Sequence, residues 1–465
     1  MARLLSPDQL GLFGITLLML TMLDVFTQTS FEQALIQKKG DISVELNSVW
    51  TVQAIRGAGL ALVLFLAAPL IAEFFRDLRV LGPMRVMSLS FLMEGLANVG
   101  TLWFQRDLDF RRQFAYVIGA DVAAFFAVLG SALILENMWA LVLGQLVRAG
   151  SSTVLSFALH PYRPRFQLEW PRMQRLGSFS RWVTGNRIVT YLATEGDDIL
   201  LGRLLGAGVL GLYQVAFRIS NLVSTEVTQV LDQVTFPAFS RVQDELIRLR
   251  RAYMVSLEAT AILIFPISAG LLLLAGDFVQ FLLGADWMPM VPAMQVLAVS
   301  GLFRALALSS ASLTRAVGRP QIPFWMNLAR LAAMGAVIYP LTLHQGMVGT
   351  ALSVLVGVVV MLPIWWVSST QVLGGQRLER LAKILPAVAG TVLMLLALRL
   401  VSAGGIDRPG ARLLVGAAVG TATYAAFHLL LWIRWKAGAW RLLSILYQGR
   451  RFGDTGLDRE MARGT

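Results

Sequence analysis

Residues 2–13 read Ala-Arg-Leu-Leu-Ser-Pro-Asp-Gln-Leu-Gly-Leu-Phe, and residues 202–213 read Gly-Arg-Leu-Leu-Gly-Ala-Gly-Val-Leu-Gly-Leu-Tyr, with six of twelve positions identical. A second echo links Met-Arg-Val-Met-Ser-Leu-Ser-Phe-Leu-Met-Glu-Gly-Leu-Ala at 84–97 to Met-Gln-Val-Leu-Ala-Val-Ser-Gly-Leu-Phe-Arg-Ala-Leu-Ala at 294–307. The two echoes keep the same order and nearly the same offset, which favours an internal duplication over chance similarity between Leu-rich helices. The sequence therefore predicts two related halves.

The composition predicts an all-α polytopic membrane protein. Of 465 residues, 56% are hydrophobic and only 15% are charged, against about a quarter charged in a soluble domain. About 20 apolar helical residues cross a hydrocarbon layer of about 30 Å, and such stretches are apolar on nearly all faces here. We predict about thirteen transmembrane helices, at residues 10–30, 49–75, 84–104, 114–135, 138–160, 179–205, 209–236, 254–275, 287–313, 321–343, 346–371, 384–402 and 410–433.

The positive charges predict the orientation of these helices. One alternating set of connections, which includes the C-terminal tail, holds 26 of the 40 Lys and Arg residues, and the other set holds seven. The positive-inside rule assigns the richer set to the cytoplasm, so the C-terminus lies inside and Met1 outside. The net charge of +12 is thus explained by the basic connections on the cytoplasmic side of the membrane, and no nucleic-acid partner is expected.

The repeat predicts how the helices are divided. The second half begins with a helix before Gly202, whereas no helix precedes Ala2, so the first helix of a fourteen-helix arrangement is expected to be missing. A cleaved signal peptide is the alternative, but residues 10–23 lack a preceding basic segment and a cleavage site. The predicted parts are an N-terminal lobe at 1–160, a basic amphipathic linker on anionic lipid at 161–181, a C-terminal lobe at 182–371, two extra helices at 372–434 and a basic cytoplasmic tail at 435–465.

Leaving out the three terminal residues at each end, the predicted helices contain seven arginines and nine acidic residues. An ionised side chain costs about 2.5–3.5 kcal/mol at mid-membrane, so these groups must pair, reach an interface or line a wet cavity. Asp24 and Glu258 lie near helix ends and are expected to reach the interface. The arginine candidates are interpreted either as a cationic substrate-binding cavity or as structural ion pairs, and they are Arg56, Arg148, Arg187, Arg218, Arg304 and Arg330.

The densest acidic segment is Glu195-Gly196-Asp197-Asp198. A glycine among three acids weakens the helix and exposes backbone to water or ions, so Glu195, Asp197 and Asp198 are candidates for proton or sodium coupling, with Asp121 as a further one. The alternative is ion pairing with Arg187 or Arg203. No phosphate-binding loop, His-Glu-x-x-His or Gly-x-Ser-x-Gly motif occurs, and there is no cysteine. We therefore expect no enzymatic activity, no cofactor and no resident metal.

Several strings resemble one transporter family over nearly the whole chain. They include Ala2-Arg3-Leu4-Leu5-Ser6-Pro7 with Gly11-Leu12-Phe13, Ala34-Leu35-Ile36-Gln37 with Leu46-Asn47-Ser48-Val49, Arg106-Asp107-Leu108 with Phe110-Arg111-Arg112, Ile199 to Leu205 with Gly211-Leu212-Tyr213, Phe236-Pro237-Ala238-Phe239-Ser240-Arg241, and Leu249-Arg250-Arg251-Ala252-Tyr253. These strings resemble the polysaccharide flippases of the multidrug/oligosaccharidyl-lipid/polysaccharide exporter superfamily, in its lipopolysaccharide and teichuronic-acid exporter branch. The resemblance implies fourteen helices in two six-helix lobes plus two.

The resemblance also implies a function. Such proteins move undecaprenyl-diphosphate-linked sugar units from the cytoplasmic to the outer leaflet of the bacterial inner membrane by alternating access. The implied partners are membrane lipids, the lipid-linked oligosaccharide and a polysaccharide polymerase or export machinery. Two alternatives stay open: the same fold exporting a drug, metabolite or peptidoglycan lipid precursor, and a membrane polysaccharide polymerase or ligase.

Overall fold

The computed structural model describes residues 5–28, 31, 35, 43–319, 321–375, 377–404 and 407–435, and within them the chain forms helices and no β-strand. The predicted basic tail lies outside these residues from position 436 onward. Thirteen α-helices are numbered here in chain order: α1 (Pro7–Thr27), α2 (Ser43–Phe75), α3 (Leu81–Gly95), α4 (Leu102–Arg106), α5 (Phe110–Leu135), α6 (Trp139–Leu159), α7 (Trp170–Leu205), α8 (Ala207–Arg241), α9 (Leu246–Leu282), α10 (Val291–Ala316), α11 (Gln321–Leu373), α12 (Arg377–Ala403) and α13 (Pro409–Trp435).

The helices are long and apolar enough to cross a membrane. Nine of them in the described part pass by length and composition, and the segments Leu78–Gly95 and Val99–Arg106, bent by 63°, together form a tenth. Helix α11 has 53 residues, which is the length of two membrane crossings. It is interrupted at Gly346, whose φ of 59° lies in the left-handed region that glycine adopts readily. The long helices α7 and α8 are more polar and are not among these candidates. Thirteen α-helices, most of them candidate crossings, agree with the predicted all-α membrane fold.

Local sequence signals explain where helices begin and end. Ser6 and Gln9 form a capping box with Pro7 at the first position of α1. Asp109 caps α5 by accepting a hydrogen bond from the Arg112 amide at 3.1 Å. In the short connection between α2 and α3, Arg79 forms a salt bridge with Asp77 at 2.7 Å. Hydrogen bonding to this guanidinium lowers the pKa of the Asp77 carboxyl.

The chain divides into two compact units. The first unit comprises Met1–Val215 and Ile338–Thr350, and the second comprises Ala216–Val337 and Ala351–Thr465. In the first, Trp50 packs with Leu46, Val49, Val99 and Leu102. In the second, Tyr253 is fully buried and accepts a hydrogen bond from Trp365 Nε1 at 3.1 Å. The lobe boundaries drawn from the sequence stay a prediction.

The duplicated motif forms a helix crossing. A Cβ at Gly11 of α1 would lie 1.7 Å from the Ala207 carbonyl oxygen, and a Cβ at Gly211 of α8 would lie 1.9 Å from the Pro7 carbonyl oxygen. Only glycine permits such an approach between backbones. Because Gly11 corresponds to Gly211 and Pro7 to Ala207 in the sequence repeat, the crossing has the approximate two-fold symmetry that a duplication produces.

Residues 161–169, called the strap here, form neither helix nor strand and lead into α7, which begins at Trp170. The strap binds the start of α2: its Arg165 amide donates to Asn47 Oδ1 at 3.0 Å, and its Gln167 amide donates to Thr51 Oγ1 at 3.0 Å. His160, just before it, accepts a hydrogen bond from the Tyr162 amide at 3.1 Å. Side chains at 170–183 lie outside the description, so the amphipathic lipid-binding role predicted for 161–181 stays a prediction.

Candidate functional site

A polar cavity of about 190 Å³ lies among α1, α2 and α3 of the first unit. Its position in the helical bundle makes it a candidate for a functional site, since pockets between bundle helices are common ligand sites. The polar side chains that line it are Asp24, Gln28, Gln53, Arg56 and Glu94.

Arg56 is held at this cavity by the end of α1. Its Nη2 forms a salt bridge with Asp24 Oδ1 and also donates to the Asp24 carbonyl oxygen at 2.9 Å, while its Nε donates to Thr27 Oγ1 at 3.2 Å. The Asp24 side chain is 36% exposed and that of Arg56 is 21% exposed. Asp24 therefore has an ion-pair partner at the cavity, and the expectation that it reaches the interface stays a prediction.

The Glu94 carboxylate is presented by the last turn of α3. Backbone contact between Gly57 and Gly95 brings α2 and α3 together there, because a Cβ on Gly57 would lie 2.7 Å from the Gly95 Cα. Gln53 Nε2 donates to the Glu94 carbonyl oxygen at 3.0 Å and so fixes the helix end. Among the described residues, the Glu94 carboxylate has neither a hydrogen bond nor a salt bridge, and the charges of Asp24, Arg148 and Arg56 act on it.

Two more predicted arginines surround the same cavity. Arg148 of α6 pairs through Nε with Asp121 Oδ1 of α5 at 2.8 Å and interacts electrostatically with Glu94. Arg187 of α7 donates through Nη1 to Oε1 of Gln28, a neutral cavity residue. Three of the six arginines thus gather at one site, and their role in substrate binding stays a prediction.

The acidic segment of α7 lies elsewhere in the first unit. Asp197 is 1% exposed and accepts a hydrogen bond from Tyr213 Oη at 2.6 Å, and Asp198 is 6% exposed and accepts one from Gln214 Nε2 at 2.8 Å. These bonds join α7 to the start of α8. In the described part of the chain, no three His, Asp or Glu side chains are arranged to hold a metal ion. Ion coupling by Glu195, Asp197, Asp198 and Asp121 stays a prediction.

The other three predicted arginines belong to the second unit. Arg304 of α10 donates through Nη2 to Thr225 Oγ1 of α8 at 3.1 Å, and Arg218 is exposed on α8. Arg330 is 5% exposed, and its stem packs at Gly357 between the two halves of α11. Glu258 is buried and paired with Lys383 at 3.0 Å, and its expected place near the interface stays a prediction.

Sequence reasoning did not place Glu94, Asp24, Gln28 or Gln53 in a site. One signal was present: Asp24 and Gln28 are four residues apart, and Gln53 and Arg56 three apart, so each pair shares a helix face. A single sequence does not show which helices pack together. It therefore does not show that Asp24 pairs with Arg56, 32 positions later.

Comparisons with known proteins identify the family. The family model described as "Polysaccharide biosynthesis protein" matches residues 1–292. The chain is 27% identical to the lipopolysaccharide biosynthesis protein WzxC of Escherichia coli K12, over 70% of this chain and 67% of the relative. It is 26% identical to the succinoglycan biosynthesis transport protein ExoT of Rhizobium meliloti, over 92% and 88%.

Solved structures support the fold. The lipid II flippase MurJ in an inward closed conformation is similar with a TM-score of 0.76 at 13% identity, covering 93% of this chain and 94% of that one. An inward-facing multidrug resistance MATE transporter gives 0.61 at 14% identity, over 80% and 92%. These identities are low enough that the likeness concerns architecture alone. With a family model that matches well over half of its residues, the chain belongs to the polysaccharide biosynthesis protein family.

Proposed function

We propose that this protein is a flippase of the bacterial inner membrane. Its substrate is an undecaprenyl-diphosphate-linked oligosaccharide, which it moves from the cytoplasmic to the outer leaflet for lipopolysaccharide, exopolysaccharide or capsule synthesis. The family match over residues 1–292, in a chain built of membrane-spanning helices, carries the proposal. Relatives named for lipopolysaccharide, teichuronic acid and succinoglycan support this class of cargo.

The chemistry of the substrate fits a polar interior. A lipid diphosphate is anionic, so its passage requires donors that replace water around the phosphates while the isoprenoid tail stays in the bilayer. Arg187 is the best donor among the described arginines at this cavity, because its hydrogen-bond partner Gln28 is neutral. Arg56 and Arg148 pair with carboxylates, and we infer a smaller role for them in phosphate binding.

Transport rather than bond chemistry is the activity that these residues support. Arginines, amides and carboxylates at the cavity bind and orient a headgroup, and the sequence has no phosphate-binding loop, His-Glu-x-x-His or Gly-x-Ser-x-Gly motif. Alternating access would expose the headgroup site to each side of the membrane in turn. A polymerase or export machinery is the expected recipient of the flipped unit.

A second candidate is export of another cargo by the same fold. The similarity to a lipid II flippase and to a multidrug transporter favours keeping this possibility, since both share the architecture at low identity. Sensitivity to a cationic drug in a deletion strain with normal surface polysaccharide would favour it. A polymerase or ligase would instead need a large external loop, which the short connections between these helices do not provide.

The proposal is tested by deleting the gene in a strain without redundant flippases. We expect lipid-linked repeat units to accumulate in the cytoplasmic leaflet and surface polysaccharide to fall. Complementation with Arg187→Ala should restore little of it, and Arg187→Lys should restore more because the charge is kept. The control Arg248→Ala removes an exposed arginine, paired with Glu245 at 2.9 Å, and should complement fully. Normal export in the deletion strain would refute the proposal.

A further inference from the structure

A surface of the first unit, called the basic corner here, combines arginines with exposed apolar side chains. It consists of residues 106–112, which connect α4 to α5, and residues 160–166, which include the first part of the strap. Both segments belong to the basic set of connections that the positive-inside rule assigns to the cytoplasm. Together they hold five arginines and two aspartates, so their net charge is +3 with the histidine neutral.

The fold holds the two segments of the basic corner together. Phe104 of α4 packs edge-on against the ring of His160, with the ring centroids 5.6 Å apart. Arg163 donates through Nη1 to the His160 carbonyl oxygen at 2.8 Å. The charges of Arg112 and Arg163 both act on the His160 ring. One arginine from each segment therefore lies near the same residue, and the two segments form one surface.

Most of the positive charge of the basic corner is not balanced by carboxylates. Among the residues that the structure describes, Arg111, Arg163 and Arg165 are exposed and form no salt bridge. Arg112 contacts Asp109, with 3.5 Å between its Nε and the Asp109 Oδ2, and its side chain is 57% exposed. Guanidinium groups at the cytoplasmic surface attract anionic headgroups, and their planar arrangement of donors fits a phosphate. The corner therefore attracts anions.

Large apolar side chains accompany these arginines in both segments. Phe110 and Phe166 are each 73% exposed, and Phe114, one turn further along α5, is also exposed. Leu108 adopts a left-handed φ of 56°, which costs a leucine energy, yet its side chain is not buried in return. Because α5 begins at Phe110 and is long and apolar enough to cross a membrane, these side chains lie at the end of a span, where headgroups meet acyl chains.

We propose that the basic corner binds the headgroup of one anionic phospholipid of the cytoplasmic leaflet, of the phosphatidylglycerol class. Arg112 and Arg163 donate to its phosphate, Arg111 adds a third positive charge, and Phe110 and Phe166 contact its acyl chains. The corner suits a lipid that stays in its leaflet, because it is an open surface at the end of a membrane span. A headgroup that crosses the membrane needs a polar path through the interior instead.

The bound lipid links the start of α5 to the strap. The strap in turn binds the start of α2, since its amides donate to Asn47 and Thr51. The lipid therefore strengthens the packing of the cytoplasmic end of the first unit. This effect is independent of the cargo that the protein carries.

Binding is measured on the purified full-length protein in a neutral detergent at constant ionic strength. The probes are dioleoyl phosphatidylglycerol and dioleoyl phosphatidylcholine, which have the same acyl chains and differ in net charge. Native mass spectrometry counts the bound lipids, and the thermal unfolding midpoint reports stabilisation. We expect phosphatidylglycerol to bind at least about tenfold more tightly than phosphatidylcholine and to raise the midpoint.

The double variant Arg112→Gln, Arg163→Gln removes the two phosphate donors. We expect it to weaken phosphatidylglycerol binding at least about tenfold and to leave phosphatidylcholine binding unchanged. Arg163 also holds the His160 carbonyl oxygen, so size-exclusion chromatography checks folding. If the double variant does not fold, Arg111→Gln keeps the test valid, because this side chain is exposed. We expect Arg111→Gln to weaken phosphatidylglycerol binding about fivefold.

The matched control is the double variant Arg248→Gln, Arg251→Gln. It removes the same charge from exposed arginines of the second unit on the same side of the membrane, and it should keep the wild-type preference for phosphatidylglycerol. An equal loss in the control would mean attraction by overall charge only and would overturn the proposal. Equal affinity of the wild type for the two phospholipids, or binding of undecaprenyl phosphate in place of phosphatidylglycerol, would also overturn it.

Discussion

Single side chains in the first unit show how charge is accommodated within the membrane. Asp24 sits only three residues before the end of α1 at Thr27, a position from which a short carboxylate reaches water on a helix considered alone. In the folded chain it binds Arg56, whose remaining bond goes to Thr27. The pairing follows from helix packing, which a list of intramembrane charges does not contain.

The Arg56–Asp24 pair gives a prediction about stability. Arg56→Ala leaves Asp24 and Glu94 near each other without the intervening positive charge, so the free energy of unfolding should fall by about 1–3 kcal/mol. The double variant Arg56→Ala, Asp24→Asn should recover part of that loss, because the orphaned carboxylate is gone. Thermal unfolding of the purified variants measures both effects. A loss in the double variant equal to the sum of the losses of Arg56→Ala and Asp24→Asn measured alone would show that the two residues do not interact.

His160 gives a prediction about pH. Burial, followed by the charges of Arg112 and Arg163, lowers the pKa of His160 below its usual 6.5. The folded protein therefore favours the neutral ring, whose Nδ1 accepts the Tyr162 amide hydrogen bond. The unfolded chain binds the proton more readily, so this stability is present above about pH 6.5 and is lost as the pH falls towards the lower folded value.

The measurement is the unfolding midpoint at pH 7.5 and at pH 5.5. We expect a larger decrease on acidification in the wild type than in His160→Gln, which keeps an acceptor and does not titrate. The difference between the two proteins isolates His160 from other titrating groups. An identical decrease in both would contradict the assigned role.

Among the helices, the crossing of α1 and α8 is where the sequence repeat has a direct structural counterpart. The two copies of the motif were visible as a repeat, and the structure brings their equivalent glycines into contact with equivalent partners. The strap was harder to anticipate. Its arginines and aromatic residues predict an amphipathic segment. In the structure, residues 161–169 form no helix, and Asn47, Ser48 and Thr51 of α2 accept hydrogen bonds from three of their backbone amides.

The crossing gives a prediction about paired glycines. Gly11→Val and Gly211→Val each place side-chain atoms where a backbone carbonyl lies, so both should lower the unfolding midpoint and abolish transport to a similar extent. The matched control is Gly59→Ala in α2, where no atom lies within 4 Å of the new Cβ. This control should be neutral or stabilising by up to about 1 kcal/mol. Tolerance of valine at one of the two glycines alone would contradict the symmetric crossing.

For the whole molecule, elementary rules predict the class of fold. Apolar length, the distribution of arginines and the duplication lead to an all-helical membrane protein of two related halves, and the helices that the structure describes agree with it. The candidate site was predicted less completely. Arg56, Arg148 and Arg187 were found as charges in helices, but Glu94 and Gln53 acquire meaning only once the Gly57–Gly95 contact brings α2 and α3 together.

The function as a whole depends on transfer of a charged headgroup across the bilayer. Relatives involved in polysaccharide synthesis and a bundle with a polar interior support it. Because the chain has no cysteine, single cysteines can be introduced to check the orientation of the reconstituted protein by labelling. This check ensures that a transport signal comes from correctly inserted molecules.

The most direct measurement is flipping in liposomes that contain the purified protein and an undecaprenyl-diphosphate oligosaccharide. A membrane-impermeant enzyme that cleaves the sugar reports the fraction in the outer leaflet. We predict that the whole pool becomes cleavable with the wild type, while Gly11→Val leaves the inner-leaflet pool protected, as in empty liposomes. A protected inner pool with correctly oriented, folded wild-type protein, tested with and without sodium and proton gradients, would contradict the account.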